Sequence, residues 1–326
     1  MKRILLIGQH NNGVFYHRLY VPYNALSRQG FDVQMTRAVN TITLDECKQF
    51  DIAVFNRNID PDTFDPSPIF AKFRAAGCKI IMDIDDLWDI APGHPMYSYA
   101  RKTNFAGCCM DQLKYADHIT TTHAHLKSQI VKLGIDKKKV TICRNAIDPS
   151  QDQYAQTFTK TDRLMWQGSS THAMDLELLK DIEHPINLCG YSYIPEWFEM
   201  CEKVQQPIIK DALDVVRYMN HYNDTGISLI PLKDNHFNRN KSNLKMIEAG
   251  WANKPVICSN IHPYNTLADN MINCITAKTP QEFKSRTNML LANQNLQDDI
   301  SGKLHEQIKT HYLIDKVNER RIELCC

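Results

Sequence analysis

Three stretches of this chain set charged and polar side chains at spacings that could do chemistry. The first is Phe237–Asn260, FNRNKSNLKMIEAGWANKPVICSN. Leu244, Ile247 and Trp251 fall at i, i+3 and i+7, an apolar helical stripe. Lys241, Lys245 and Glu248 repeat that spacing on a second, charged face. Asn253 suits the left-handed residue that ends a helix, and Pro255 cannot continue one. Two cations beside the free N–H groups of a helix start would seat a phosphate, and the same pattern also fits a solvated charged face. The second stretch, Asp83-Ile84-Asp85-Asp86, packs three carboxylates into four residues at a strand end. Such a cluster must meet cations, a metal or solvent. It could be an Asp-x-Asp metal site, a base or orienting acceptor for hydroxyls, or a capped solvated turn. The third, Gly13 with Tyr16, His17 and Arg18, follows the first strand. His17 could serve there as a base or be an ordinary surface histidine.

Those stretches need a scaffold, and composition sets its bounds. The chain has 326 residues, enough for two ordinary domains, with 43% hydrophobic and 23% charged residues as in soluble globular proteins. A net charge of +1 gives no global attraction to nucleic acid or anionic membranes. The apolar runs, such as Ile4–Ile7, are strand-sized, and Gly8-Gln9-His10 interrupts the N-terminal one too early for a signal peptide. The 11 cysteines are odd in number, scattered and without a CxxC pair, which suits buried thiols in a reducing compartment. A cytoplasmic protein with no membrane contact is expected.

The elements alternate. Arg3–Ile7 reads as a strand, Gln9–Gly13 as a polar loop at its carboxyl end, and Leu19, Tyr23 and Leu26 as the stripe of the next helix. Further strands are expected at 31–35, 51–55 (leading into Asn56-Arg57-Asn58), 79–82, 118–122 and 140–143. Ile90–Asn104 reads as a long irregular loop for an acceptor. A Gln-, Thr- and Asp-rich linker at Ser150–Thr161 precedes a second series. There Leu164–Trp166 is a strand, Gly168 a turn, and Ser169, Ser170, Thr171 and His172 a polar loop at a helix start. Strands at 186–189, 206–210 and 227–232 follow, with a helix at Asp214–His221, and Tyr191 is placed to stack on a base. Neither half carries GxGxxG, so the dinucleotide fingerprint is absent. The pattern predicts an α/β chain of two Rossmann-like, mostly parallel sheets facing one cleft.

The run ADHITTTHAHLKSQIVKLGIDKKKVTICRNAIDP resembles the segment that closes the first domain of GT-B glycosyltransferases, in particular the retaining family 4. Phe237–Asn260 resembles that family's donor-site signature, Glu-x7-Glu followed by Gly-x-Pro-Val-Val. Here Glu248 and Pro255-Val256-Ile257 stand at the family's spacing, and Asn240 replaces the first glutamate. The opening Gly-Val-Phe-Tyr-His-Arg and Asp-Ile-Asp-Asp segments are similar to those of phage-encoded relatives.

The resemblance implies a first, acceptor-side domain at 1–155, a nucleotide-sugar domain at 156–304, and a C-terminal helix at 305–326 crossing back to the first. It implies transfer of a sugar from a nucleotide diphosphate sugar, UDP favoured, to an acceptor hydroxyl with retention. Glu248 would hold the ribose, Asn240 the sugar, and Lys241, Lys245, Ser169, Ser170 and His172 the diphosphate. Gly13, Tyr16, Arg18 and Asp83 would line the acceptor side. Retention needs no protein base; inversion would call on Asp85, Asp86 or His17. No cofactor is required and no metal site is assigned; a divalent ion is compatible with the chemistry but not expected. Acceptors consistent with the sequence are a hydroxymethylated base in phage-type DNA, which Arg101-Lys102 and Lys137–Lys139 could help bind, and polysaccharide or protein hydroxyls. A GT-B-shaped binding protein without turnover is the alternative class.

Overall fold

The computed structural model describes residues 1–8, 12–37, 39–57 and 66–326. Gln9 to Asn11 of the first loop, and Asn58, lie outside the described residues. The described strands form two six-stranded sheets in which every ladder is parallel.

The first sheet contains β1 (Arg3–Ile7), β2 (Asp32–Thr36), β3 (Ile52–Asn56), β4 (Lys79–Asp83), β5 (His118–Thr121) and β6 (Val140–Ile142), in the order β2-β1-β3-β4-β5-β6. The second contains β7 (Leu164–Gln167), β8 (Ile186–Tyr191), β9 (Pro207–Asp211), β10 (Ile227–Ile230), β11 (Val256–Ser259) and β12 (Ile275–Ala277), in the order β12-β11-β10-β7-β8-β9. Central strands such as Ile4–Ile7 and Ile52–Phe55 are continuous apolar runs because helices cover both faces of a parallel sheet. In each sheet the strand order reverses once, beside β1 in the first and beside β7 in the second. Crevices open at the carboxyl ends of strands at such points, and that is where open α/β sheets bind ligands.

Five helices matter for the argument: α1 (Val21–Ser27), α2 (Ala124–Lys132), α3 (Leu244–Trp251), α4 (Gln294–His311) and α5 (Ile314–Cys325). The tail is two helices. In α4, Leu304 and Ile308 pack on α3 so closely that a Cβ at Gly250 would lie 2.8 Å from each. Then α5 crosses back: Leu324 and Cys325 join the cluster around Ile4 and Leu6, and Asn318 Nδ2 donates to the Pro22 carbonyl at 2.7 Å.

The structure departs from the sequence expectations in several elements: the single helix expected at 305–326 falls across α4 and α5, and the linker expected at 150–161 holds a helical turn at Asp152–Ala155. The irregular segment 90–104 contains a helix at Tyr97–Lys102. No α-helix follows Ser169–His172; the chain makes short 3-10 turns at Ser170–His172 and Asp175–Leu179. Asp175 is turned inward there to accept from the Lys233 N–H and from Asn238 Nδ2, each at 2.8 Å, and those distant bonds override local helix formation. The helix expected at Asp214–His221 is a 3-10 turn at Tyr218–Asp224, where Gln153 accepts from the Met219 N–H and donates to the Val215 carbonyl.

Candidate functional site

A cleft of about 400 Å³ opens where the carboxyl ends of the two sheets meet. Gly13, Val14, His17, Arg18, Asp85 and Asn145 line it from the first sheet's side. Gly168, Ser169, His172, Gly190, Tyr218, Ser242, Leu244, Lys245 and Glu248, with Ala212, Leu213 and Val215, line it from the second. The floor is tight at the ends of β7 and β8. Gly190 has φ +106°, and a Cβ there would lie 2.2 Å from the Gly168 carbonyl oxygen, so only glycine allows these strand ends to approach.

On the second-domain wall, α3 starts at the cleft. Its N-cap, Asn243, makes no side-chain cap bond, and Ser242, Leu244 and Lys245 line the space in front of it. The Lys245 ammonium is buried and has no hydrogen-bond partner. It lies 5.4 Å from the Trp166 ring centroid and would be 3.1 Å from a Cβ on Gly168. Burial, then Lys241, pulls its pKa down to about 7, against the pull of Asp175 and Glu248. Lys241 precedes the helix instead of sitting on its face. Its ammonium lies 4.6 Å from the Phe237 ring centroid and 3.5 Å from His172 Nε2. His172 Nδ1 is 2.9 Å from Asp175, and burial holds the ring well below the usual histidine range. The network thus makes Nδ1 the donor and gives His172 Nε2 a lone pair that faces Lys241. His172 orients the cation rather than offering a proton to an anion.

Glu248 is buried at the cleft base, with Gln167 Nε2 donating to it at 3.2 Å. Burial pushes its pKa up to about 8, although Lys245 and Gln167 pull the other way. Across the cleft, His17 Nε2 is 3.6 Å from Glu248 Oε1. Burial, reinforced by Arg18, drops the His17 pKa to about 4. Near pH 7 the two therefore meet as neutral imidazole and carboxylic acid, not as an ion pair.

The first-domain wall is arranged differently. Arg18 makes a bidentate contact to Asp83 at 2.9 and 2.7 Å, and also donates to the Cys143 carbonyl and to Asn145 Oδ1. Thr120 Oγ1 donates to Asp83 at 2.6 Å. Arg57 donates to Asp85 at 2.7 and 3.1 Å and to Asp86 at 3.4 Å, while its guanidinium stacks 5.1 Å from the Trp88 centroid. Asp85 has its pKa lowered, Arg57 outweighing burial, whereas burial and then Asp85 raise Asp86 to about 6. The aspartates are neither a solvated turn nor, among the described residues, part of a cluster of three or more His, Cys, Asp or Glu side chains able to hold a metal.

Of the residues singled out from sequence, Gly13, His17, Arg18, Asp85, Ser169, His172, Lys245 and Glu248 line the cleft. Asp83, Asp86 and Lys241 stand just behind its walls. Ser170 is not a lining residue, and Ser169 Oγ shares a 2.7 Å hydrogen bond with Thr171. Tyr16 is buried in the first domain, its hydroxyl accepting from Gln153 at 2.8 Å. Asn240 is fully buried; its Nδ2 closes a turn on the His236 carbonyl at 2.9 Å, and it does not line the cleft. Tyr191 is part of the core, edge-on to Trp197, so it has no free face for a base. Sequence reading missed Asn145, Ser242 and Tyr218. Asn145 and Ser242 lie in stretches singled out from sequence, but their role at the cleft comes from partners far along the chain, Arg18 for Asn145 and Asn145 for Ser242.

No family model and no curated protein matches this sequence. Solved structures do match along its length. A sucrose-phosphate synthase from Thermosynechococcus elongatus superposes with a TM-score of 0.69 at 12% identity, covering 99% of this chain and 98% of that one. HepE from Anabaena, solved with UDP-glucose, gives 0.66 at 11% identity over 99% of both chains. A glycosyltransferase from Rickettsia africae gives 0.65 at 11% identity, over 99% of this chain and 97% of that one. At such identities the likeness is one of fold: the chain has the two-domain α/β GT-B architecture. Among the described residues no helix is long and apolar enough to cross a membrane.

Proposed function

We propose that this protein is a glycosyltransferase that moves a sugar from a nucleotide diphosphate sugar to an acceptor hydroxyl. The observation that carries the reading is the Lys245 ammonium, buried at the cleft without a partner. A desolvated cation is costly, and a diphosphate would complete it. Lys241, the open start of α3 and the Gly168–Ser169 backbone supply further positive potential at the same place. Glu248 would take the ribose hydroxyls, and the space beside Gly190, Ala212 and Leu213 would take the base. UDP is the favoured base carrier, because GT-B structures such as HepE and the pneumococcal GtfA were solved with UDP.

Stabilising charge on the leaving diphosphate lowers the barrier to sugar transfer. The acceptor would enter between His17 and Asp85. Arg57 holds both Asp85 and Asp86, and Arg18 holds Asp83, so no aspartate of this cluster is left unengaged as a base. With retention, the leaving phosphate would take the acceptor proton; with inversion, the neutral His17 at the cleft would be the base. A hydroxymethylated DNA base is one acceptor to test, beside polysaccharide and protein hydroxyls. Lys127, Lys137, Lys138 and Arg320 line a separate groove whose cations would suit a phosphate backbone.

The buried, turned-away Asn240 favours a second reading, a nucleotide-sugar binder without turnover. The deciding experiment measures thermal stability with UDP, GDP, UDP-glucose and GDP-mannose, then donor hydrolysis. A ligand that binds only the folded state raises the melting temperature. A shift with one nucleotide that is lost in Lys245→Ala supports the donor site, and hydrolysis by the wild type supports the enzyme. No shift with any nucleotide refutes both readings.

A further inference from the structure

His123 lies outside the cleft, yet it reaches from one domain into the other. It follows β5 and is the N-cap of α2, where its Nδ1 accepts from the Leu126 N–H at 3.2 Å. A ring nitrogen that accepts from an amide carries no proton, so in the neutral ring the proton is on Nε2. That Nε2 is 2.8 Å from the Lys241 carbonyl oxygen, in the second domain. Burial lowers the pKa of this ring to about 4, which keeps it in the neutral form near pH 7. One residue away the same segment is held again. Asn145, just after β6 and fixed by Arg18, donates from Nδ2 to Ser242 Oγ at 2.9 Å. Neighbouring strand ends of the first sheet thus grip two consecutive residues of the segment leading into α3. Capping alone does not account for His123, because serine, threonine, asparagine or aspartate would cap α2 without reaching Lys241.

We propose that His123 is a positioning residue: its Nε2–H clamps the Lys241 carbonyl and passes the seating of the first domain to Lys241, the cation held behind His172 at the proposed donor site. The proposal rests on the donor-site reading above. The clamp fixes the backbone of Lys241, and His172 and Phe237 then aim its ammonium. Closing the two domains and completing the anion site become one event.

The test uses His123→Asn, whose side chain still caps α2 but stops short of Lys241, with His123→Ser as a second variant should the first not fold. Turnover of the donor sugar is expected to fall about tenfold in kcat with a smaller change in KM, the size of one lost hydrogen bond. The loss should vanish in a Lys241→Ala background, because a residue acting through Lys241 has nothing left to position. Hydrogen exchange of the 238–246 segment should quicken several-fold in His123→Asn, with or without nucleotide. Unchanged kcat and unchanged exchange would overturn the proposal, as would full additivity with Lys241→Ala. If the wild type binds no nucleotide, the donor-site reading falls, and the exchange experiment alone decides whether the clamp exists.

Discussion

The two walls of the cleft both carry charge, but they differ in what neutralises it. On the first domain, Asp83 is held by Arg18 and Thr120, and Asp85 and Asp86 share Arg57. On the second, Lys245 has no hydrogen-bond partner and the Trp166 ring beside it, and Lys241 has only the edge of His172 and a phenyl ring. Buried charges that complete one another are part of the scaffold, and removing one leaves the other stranded. A buried ammonium without a hydrogen-bond partner is costly, and on the proposed reading an anionic ligand would complete it. The carboxylate cluster, the more conspicuous of the two in sequence, is therefore mostly paired within the fold, and on the proposed reading the lysines would supply the binding chemistry.

That contrast can be broken at either wall. The largest effect is expected from Arg18→Leu, which leaves Asp83 buried and unpaired and should cost about 3–5 kcal/mol in denaturant unfolding. A double change with Asp83→Leu should recover much of it; failure to recover would mean that Arg18 matters for more than its partner. Next in size, Lys245→Ala should weaken UDP binding about a hundredfold by calorimetry, as expected for a charge-assisted contact to a diphosphate, while leaving the fold intact. An affinity within twofold of wild type would put the diphosphate elsewhere.

The pH dependence sharpens the same point. Lys245 is lowered to about 7, so the free protein loses this cation as pH rises through neutrality. Glu248 is raised to about 8 and gains its charge over an overlapping range. In Glu248→Gln, whose amide does not titrate, UDP affinity should fall about tenfold between pH 7 and 8.5 as the ammonium deprotonates. A flat profile would show that Lys245 stays charged without ligand.

The smallest effects are on stability without ligand. The lowered Lys245 pKa disfavours folding wherever the amine is protonated, fully below pH 7, and the penalty disappears as pH rises toward the unfolded value. Lys245→Met should therefore raise the ligand-free melting temperature by a few degrees at pH 6 and by less at pH 9. Glu248 works in the other sense. Its raised pKa costs stability as pH climbs from the unfolded value through about 8, so Glu248→Gln should stabilise more at pH 8.5 than at pH 5.

Much of the architecture was legible in the chain because it is written in local period. Continuous apolar runs such as Ile4–Ile7 and Ile52–Phe55 suit strands buried on both faces, and the stripe at Leu244, Ile247 and Trp251 announced α3, although the face it buries is Met246, Ile247, Ala249 and Gly250 and Leu244 lines the cleft. Lys245 and Glu248 were found through their spacing on that helix, and they do line the cleft.

Other features were decided by contacts across the chain. The loop after Ser169 reads as a helix start, yet Asp175 bonds Lys233 and Asn238 about sixty residues on and the helix does not form. Asn240 and Tyr191 had the right residue types in the right neighbourhood, and packing turned both into the interior. Asn145, Ser242 and His123 lie in stretches the sequence singled out but were not themselves picked, because their significance is a juxtaposition of strand ends and a loop from different domains. Sequence alone determined the elements, their alternation and the identity of the charges, since these depend on residues a few positions apart. Only the tertiary structure decided which charges are satisfied, because a partner is set by distance in space, and Arg18 reaches Asp83 across 65 positions of chain while Lys245 finds no hydrogen-bond partner.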